Sequence, residues 1–455
     1  MRQPTQRQAE PGTWNEQDLL RRLCHALDIA KLTVDHLAAN GYTDSRDPSK
    51  NIRPEKIISE TAVLLLAASA IAHDEVKSRI QAIADRLTPF ARNDRAKVGL
   101  CLEPSVAWDY ALPHVCLGRI GYRDSTFDEL LRQSLQSQAR AGRERVPHRM
   151  LEQEWVAMGW AQSTHPLKTV PRTAEIGLAR LSILNQPIDL LACTRDDVYA
   201  FTHALMYVTD FNLHPGQLPR PRTILLAEAE AMLAHCLDTQ DYDLSGEVLL
   251  SWPVTGKTWS ASSAFAFRVL AHVEDQAGFL PTPSTRVSEA KAREGVERTQ
   301  YLLATAYHTA YVMGLVCAAS LRPGYAPPAV IPACHTEPGS AKHILKCMDA
   351  DEKPAHWRDE FDQLTAPEAD SLSGFLLNIA LRRKAAKRDF GGMYELLTLA
   401  YDLDLANLPA ASQAAELLER LAMYFKERTK AAPATLLPQI APAAASALDK
   451  SLSCF

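Results

Sequence analysis

The chain has 455 residues, a length that allows two or three domains, and 47% of them are hydrophobic, so a large core is possible. Glycine accounts for only 19 residues, alanine and leucine dominate, and β-branched runs are rare, which favours helix over sheet. The formal net charge of −5 is spread along the chain and gives no strongly basic face, so no nucleic-acid partner is expected.

The cysteines and the apolar segments indicate the cellular compartment of the protein. The nine cysteines have no paired spacing, which argues against a disulfide framework and favours a reducing compartment. Residues 1–14 lack the apolar region of a secretory signal. The longest apolar run, residues 62–72, is far shorter than the roughly 20 residues of a membrane span. We therefore expect a soluble, cytoplasmic protein that does not interact with a membrane.

Apolar residues recur every three or four positions through most of the chain, a pattern typical of amphipathic helices. No convincing pair of strands is present in the sequence. The periodic segments lie at residues 18–41, 54–74, 74–87, 126–142, 148–162, 173–185, 199–211, 223–238, 242–252, 261–278 and 297–320. The loops between them are short, which predicts an all-α fold of antiparallel helical hairpins. The hairpins could form either an α/α-toroid-like arrangement or an irregular helical bundle.

Three segments interrupt this pattern and suggest a division of the chain. Residues 1–13 are polar and are expected to form a flexible N-terminus before a main helical domain at 14–320. The proline-rich stretch at 321–341 is expected to be either a lid over a helical cavity or a plain connector. A C-terminal helical segment at 342–430 and a Pro/Ala-rich tail at 431–455 follow.

The helix predicted at 199–211 carries a polar stripe on an otherwise apolar segment. Helical spacing places Tyr199, His203, Tyr207 and Asp210 on one face, and the opposite face is apolar. Because both faces would be buried, the imidazole and the carboxylate need partners. Two interpretations remain open: hydrogen bonds between helices, or a pocket lined by these side chains.

The segment at 241–252 supplies three carboxylates. Asp241 fits a helix N-cap, and Asp243 and Glu247 are four residues apart on one helix face. Glu247 lies among leucines and a valine, so we expect it to point inward, and Trp252 is expected to line the same pocket. Paired carboxylates in a dry site divide into an acid and a base, and they are also ligands for a divalent cation.

A histidine also interrupts the apolar helix at 301–317, where Tyr301 and His308 share one stripe. His308 is either a satisfied core histidine or a catalytic residue beside the carboxylates. In an earlier helix, His148 and Glu152 form an i, i+4 pair that fits capping at the protein surface.

Zinc accepts cysteine and histidine in any chain order when the fold brings them together. Cys236, Cys334 and His335 are the candidates, and the last two lie in the proline-rich loop, where packing explains them less readily. A site for zinc or another divalent metal is therefore one prediction. The sequence contains no P-loop, dinucleotide fingerprint, nucleophile elbow or HExxH motif, so no other cofactor is expected.

Four strings resemble an uncharacterised all-helical bacterial domain family: PHRMLEQEW, THALMYVTDF, YDLSGEVLL and YHTAYVMGL, all between residues 147 and 315. This resemblance implies a shared helical pocket and no particular reaction. A looser similarity links the chain to toroidal helical cyclases, namely lanthionine cyclases and class II terpene cyclases. Cys334 and His335 resemble a lanthionine-cyclase zinc pair, but the motifs expected beside it and the acidic DxDD box are missing. Both comparisons are made at the level of the fold.

These features lead to three hypotheses. The first is a natural-product tailoring enzyme of the cyclase, lyase or isomerase type, acting on an apolar or peptide-derived substrate. Its acids and bases would be His203, Asp210, Asp243, Glu247 and His308, in a pocket lined by Tyr199, Tyr207, Tyr301 and Trp252. The second is a non-catalytic helical binding or scaffold protein, and the third is a zinc-assisted peptide cyclase. A small-molecule or peptide partner is expected, and a homodimer is compatible with the sequence.

The enzyme and scaffold hypotheses differ in the geometry that they require. Ionisable residues that meet within ~4–6 Å beside an open cavity would favour the enzyme. Residues that are each singly paired across a closed helix contact would favour the scaffold.

Overall fold

A computed structural model of the chain describes residues 15–38, 54–137, 144–164, 173–214, 216–333, 336–348 and 355–431. Within these ranges the protein consists of helices, turns and loops, with no β-strand, so the predicted all-α fold is confirmed. The predicted N-terminal segment 1–13 and the Pro/Ala-rich tail beyond residue 431 lie outside the described residues.

The helices follow the apolar periodicity of the sequence. In chain order they are α1 (Glu16–Ala38), α2 (Pro54–Ala68), α3 (Asp74–Ala91), α4 (Asp94–Leu102), α5 (Ala107–Arg119), α6 (Ser125–Gln136), α7 (Pro147–Thr164), α8 (Thr173–Leu181), α9 (Arg195–Val208), α10 (Arg222–Asp238), α11 (Tyr242–Leu249), α12 (Ser251–Thr255), α13 (Ala261–Ala277), α14 (Val287–Ala292), α15 (Gly295–Ser320), α16 (Ser340–Cys347), α17 (His356–Phe361), α18 (Ala366–Asp370), α19 (Ser373–Lys387), α20 (Phe390–Asp402) and α21 (Pro409–Ala431). Two predicted segments have different boundaries in the structure. The helix predicted at 199–211 ends at Val208, and the segment at 242–252 divides at Leu250 into α11 and α12.

Six of these helices form a closed ring. α2 packs on α5, α5 on α7, α7 on α9, α9 on α11 and α11 on α15, and α15 returns to α2. Further helices cover the ring: α1 packs on α15, α3 on α2, α4 and α6 on α5, α8 on α7, and α10 and α13 on α11. This circuit of helices encloses a central space.

The C-terminal helices join the same body. α19 packs on α10 and carries α16, α20 and α21. One hydrophobic core extends from Leu19 in α1 to Ala414 in α21. The described chain therefore shares a single core on both sides of the proline-rich loop.

Among the long helices in the described part of the chain, α15 has the most apolar composition. Its length and composition would allow it to cross a membrane, but 72% of its most apolar window is buried inside the structure. It contacts α1, α2 and α11. A helix surrounded by protein in this way is expected to be apolar on nearly all sides.

The close packing of α15 on α1 and α2 depends on Gly314. A Cβ added at this position would lie 2.7 Å from Ala26 Cβ and 3.0 Å from Leu64 Cδ1. We expect Gly314→Ala to lower the free energy of unfolding by about 1–3 kcal/mol, because the helices have to move apart. Urea denaturation followed by circular dichroism measures this change.

The matched control is Gly177→Ala on α8, where nothing lies within 4 Å of the added Cβ. Alanine has the higher helix propensity, so this substitution should stabilise the protein by up to about 1 kcal/mol. Equal effects of the two substitutions would contradict the prediction.

Candidate functional site

The ring of helices encloses a cavity of about 470 Å³, and all six ring helices contribute to its wall. The wall contains two histidines and several carboxylates. It also contains the apolar side chains of Val63, Leu112, Met206, Phe211, Val312 and Leu315. A volume in the range of about 300–1,000 Å³ is typical of small-molecule sites.

His308 on α15 lies at the centre of a cluster of charged side chains. Its Nδ1 is 3.2 Å from Glu60 Oε2 on α2. Its Nε2 is 3.3 Å from Asp243 Oδ1 and 3.6 Å from Glu247 Oε1, both on α11. Burial alone would lower the pKa of His308, but the three carboxylates outweigh it and raise that pKa well above its usual value. The cluster therefore consists of an imidazole surrounded by three carboxylates.

Glu247 connects His308 to His203 on α9. Its Oε2 lies 3.5 Å from His203 Nδ1 and accepts a hydrogen bond from Thr202 Oγ1 at 2.6 Å. Burial would raise the pKa of Glu247, but the two histidines hold it well below its usual value. His203 Nδ1 also lies 3.0 Å from the carbonyl oxygen of Tyr199. Since a carbonyl oxygen only accepts, Nδ1 carries the hydrogen, and Nε2 accepts protons in the neutral ring.

A second polar group lies on α7, opposite α9. Tyr207 Oη donates a hydrogen bond to Glu152 Oε1 at 2.6 Å, and Arg149 pairs with Glu152 at 2.7 Å. The ring centroid of His148 is 6.2 Å from that of His203. Burial, followed by the charge of His203, lowers the pKa of His148 to about 4. The prediction that His148 and Glu152 cap a helix at the surface is therefore wrong, because both side chains turn toward the cavity region.

Asp210 lies apart from this cluster. α9 ends two residues earlier, and Asp210 is in a following turn with a φ of 47°. Its carboxylate accepts two hydrogen bonds from Arg119, at 3.0 and 2.9 Å, and one from Trp155 at 2.6 Å, and it lies 2.7 Å from His214 Nδ1. Burial would raise the pKa of Asp210, but these partners lower it to about 2. The prediction that Asp210 shares the stripe of His203 is wrong, because the helix stops before it.

Asp243 contacts His308 but does not itself line the cavity, and three other predicted site residues lie away from both. Tyr301 belongs to a small separate hydrophobic cluster, and Trp252 is buried in the main core. Cys236 is also buried, and burial raises the pKa of its thiol well above the usual value. A zinc ligand has to be a thiolate, so this environment disfavours the predicted metal role of Cys236. Cys334 and His335 lie outside the described residues.

The described part of the proline-rich loop contacts the segment between α12 and α13. Trp259 Nε1 donates a hydrogen bond to the carbonyl oxygen of Tyr325 at 2.8 Å, and Ile331 is buried. None of the described loop residues lines the central cavity. For these residues the lid prediction is wrong, and the connector alternative fits their contacts.

Glu60 and Thr202 are site residues that the sequence reasoning missed. Glu60 interrupts the apolar part of α2, and its helical neighbours Ile57 and Leu64 are fully buried. The reasoning that identified Glu247 would also have selected Glu60. Burial would raise the pKa of Glu60, but His308 lowers it below its usual value. Thr202 gave no signal, because a threonine in a buried helix commonly bonds its own backbone.

Fold and site together define an all-α protein with a charged cavity inside a ring of helices. Residues 25–318 match the family described as Domain of unknown function (DUF6895), and the chain belongs to this family. The matched region contains α2 to α14 entirely and most of α1 and α15, so it includes the cavity wall. Comparisons with curated proteins and with solved structures gave no match.

Proposed function

We propose that the central cavity is the active site of an enzyme that moves protons on a small, mostly apolar substrate. The observation that carries this proposal is the convergence of two histidines and three carboxylates from four helices. Neighbouring groups in this set lie 3.2–3.6 Å apart beside an open cavity. In a scaffold, each group would be singly paired across a closed contact, whereas here Glu247 and His308 each have several charged partners.

His203 is the base in this proposal. Its Nδ1 hydrogen is directed to the Tyr199 carbonyl oxygen, which leaves Nε2 to take a proton from the substrate. Glu247, 3.5 Å from Nδ1, stabilises the imidazolium that forms. Thr202 fixes that carboxylate through its hydrogen bond of 2.6 Å. A base, an orienting carboxylate and a third group that holds the carboxylate are the usual parts of an activated histidine.

His308 supplies positive charge on the other side of Glu247. Charge fixed at this point stabilises negative charge that develops on a substrate oxygen or carbon during proton abstraction. Proton removal with such stabilisation is the first step common to eliminations, isomerisations and many cyclisations. We therefore assign the protein to the lyase, isomerase or cyclase type.

The apolar residues of the cavity wall indicate the substrate class. Aliphatic side chains, Phe211 and the ring of Tyr311 line the cavity beside the charged cluster, and they favour a substrate with a large apolar part. Natural products, including those derived from peptides, are substrates of this kind. We therefore propose a cytoplasmic enzyme that tailors a natural product.

The test uses purified protein and a small-molecule extract of the cells that encode it. Mass spectrometry is expected to detect a compound converted to a product of equal mass, or of mass reduced by water or ammonia. His203→Gln should slow this conversion by roughly 10²–10⁴-fold, the usual contribution of a general base. Circular dichroism establishes that the variant is folded.

The matched control is His343→Gln, which changes an exposed histidine on α16. It should leave the conversion unchanged. An extract that the wild-type protein does not alter, or that His203→Gln alters equally fast, contradicts the proposal.

A further inference from the structure

We infer that Asp243, Glu247 and His308 bind one divalent metal ion of the zinc type, with Glu60 orienting the imidazole. The inference rests on the proposed function, and in it a bound dication takes the place of the positive charge on His308, because Nε2 of His308 has to lose its proton to bind a metal. It also moves the metal site away from Cys236, Cys334 and His335, where the sequence had suggested it.

The spacing of the three ligand atoms fits a metal ion. Asp243, Glu247 and His308 each offer one atom within 4.8 Å of the other two. His308 Nε2 is 3.3 Å from Asp243 Oδ1 and 3.6 Å from Glu247 Oε1. A tetrahedral ion with bonds of about 2.0–2.1 Å separates its ligand atoms by about 3.3–3.4 Å. These side chains therefore reach ligand positions with little movement of the backbone.

An unsatisfied oxygen provides a second, independent observation. Asp243 is only 9% exposed, and its Oδ1 is buried and accepts no hydrogen bond. The other oxygen, Oδ2, accepts a hydrogen bond from Arg195 at 2.9 Å. A buried carboxylate oxygen without a hydrogen bond is costly, and coordination to a cation would remove that cost. Arg195 thus holds the carboxylate with its free oxygen directed at His308.

Glu60 completes an arrangement typical of histidine metal ligands. Such a histidine usually donates its second ring N–H to a carboxylate, which fixes the ring and increases its basicity. Glu60 Oε2 lies 3.2 Å from His308 Nδ1, on the side of the ring away from the two ligand carboxylates, and a small rotation of the ring would align its N–H for the hydrogen bond that it does not make here. Tyr307 Oη donates a hydrogen bond of 2.9 Å to the same oxygen. Glu60 is therefore a positioning residue and not a ligand.

Donor chemistry and charge select the ion. Two carboxylates and one imidazole suit zinc and similar divalent ions, and they suit soft ions such as Cu(I) poorly. Three protein ligands leave a coordination position toward the cavity, as in catalytic zinc sites. A dication there would polarise a substrate oxygen next to His203, which Glu247 contacts through its other carboxylate oxygen.

The first experiment titrates chelator-treated protein with Zn²⁺ and measures bound zinc by equilibrium dialysis and elemental analysis. One ion per chain is expected. Asp243→Asn and His308→Gln should weaken binding at least about 100-fold, and Glu60→Gln about 10–100-fold. Cys236→Ala is the control and should bind zinc as the wild-type protein does. Unchanged affinity in folded Asp243→Asn and His308→Gln overturns the inference.

A second measurement does not depend on affinity. Co²⁺ in place of zinc should give visible bands of a four- or five-coordinate ion without an intense sulfur-to-cobalt band. A sulfur-to-cobalt band would assign the metal to cysteines and overturn the inference. Zn²⁺ should also raise the melting temperature of the wild-type protein and not that of His308→Gln. This comparison remains decisive if Asp243→Asn fails to fold.

The metal inference and the proposed function fail in different ways. If the protein binds no zinc but converts a substrate in a reaction that depends on His203, the metal inference is wrong and the proposed enzyme function stands. If Asp243 and His308 bind zinc but no substrate is converted, the metal inference stands and the proposed reaction is wrong.

Discussion

Asp210→Asn is expected to lower the free energy of unfolding by about 3–5 kcal/mol, because it leaves a buried guanidinium without its counter-charge. The side chain of Arg119 is only 9% exposed and makes both of its bonds to this carboxylate. Asparagine tolerates the left-handed backbone at this position, so the substitution tests the charge and not the turn. Urea denaturation at pH 7 measures the loss.

The control for this prediction is Asp404→Asn. Asp404 also has a positive φ, of 57°, but its side chain is exposed. Its substitution should change stability by no more than about 0.5 kcal/mol. Similar losses in the two variants would show that backbone conformation, and not the buried ion pair, determines the effect.

The pH dependence of stability provides a second measurement on Asp210. Its pKa is lowered from 3.8 to about 2 in the folded protein. A lowered folded pKa contributes stability above the unfolded pKa, and this contribution is lost as the pH falls through the folded pKa. The wild-type protein should therefore lose about 2 kcal/mol between about pH 4 and pH 2 through this group. The stability difference from Asp210→Asn should shrink over that interval, and a constant difference would contradict the assignment.

Arg22→Met is expected to cost about 3–5 kcal/mol for the same physical reason. Arg22 on α1 pairs with Glu274 on α13, and the two side chains are only 1% and 6% exposed. Arg22 also pairs with Asp275 at 2.6 Å, but that carboxylate is 47% exposed and keeps its contact with water. The double variant Arg22→Met/Glu274→Leu should recover most of the loss, because an apolar pair replaces a buried ion pair. Thermal and urea unfolding of the single and double variants measure this coupling.

Arg21→Met is the matched control for Arg22. Arg21 pairs with Asp275 at the surface, where the side chains are 56% and 47% exposed. Exposed pairs of this kind contribute roughly 0–1 kcal/mol. A double variant no more stable than Arg22→Met would mean that packing, and not the uncompensated charge of Glu274, causes the loss.

These buried ion pairs have a different role from the charges in the cavity. Asp210 links α5, α7 and the end of α9, so it fixes the helix that carries His203. Its buried partners Arg119 and Trp155 are directed to this one carboxylate inside a closed contact. The cavity cluster shares its charges among several partners beside open space, which is the arrangement expected where a ligand completes the set.

The sequence by itself determined the helices and some of their orientations. The spacing of apolar residues is a local property, so it predicted an all-α fold and most helix positions. It also predicted that Glu247 points inward, and Glu247 is 3% exposed. Asp241 is the expected N-cap, since its Oδ1 accepts a hydrogen bond from the backbone N–H of Leu244 at 3.2 Å. These features depend on residues within one or two turns of each other.

Only the tertiary structure decided which of the polar residues meet. The ring closes where α15 contacts α2, and this contact brings together His308 and Glu60, which are far apart in the sequence. Asp210 left the predicted stripe because three successive left-handed residues follow α9 and turn its carboxylate toward Arg119. Helical periodicity assigns a side chain to a face of its own helix. The partner of that face is selected by the packing of the whole core, which no local pattern records.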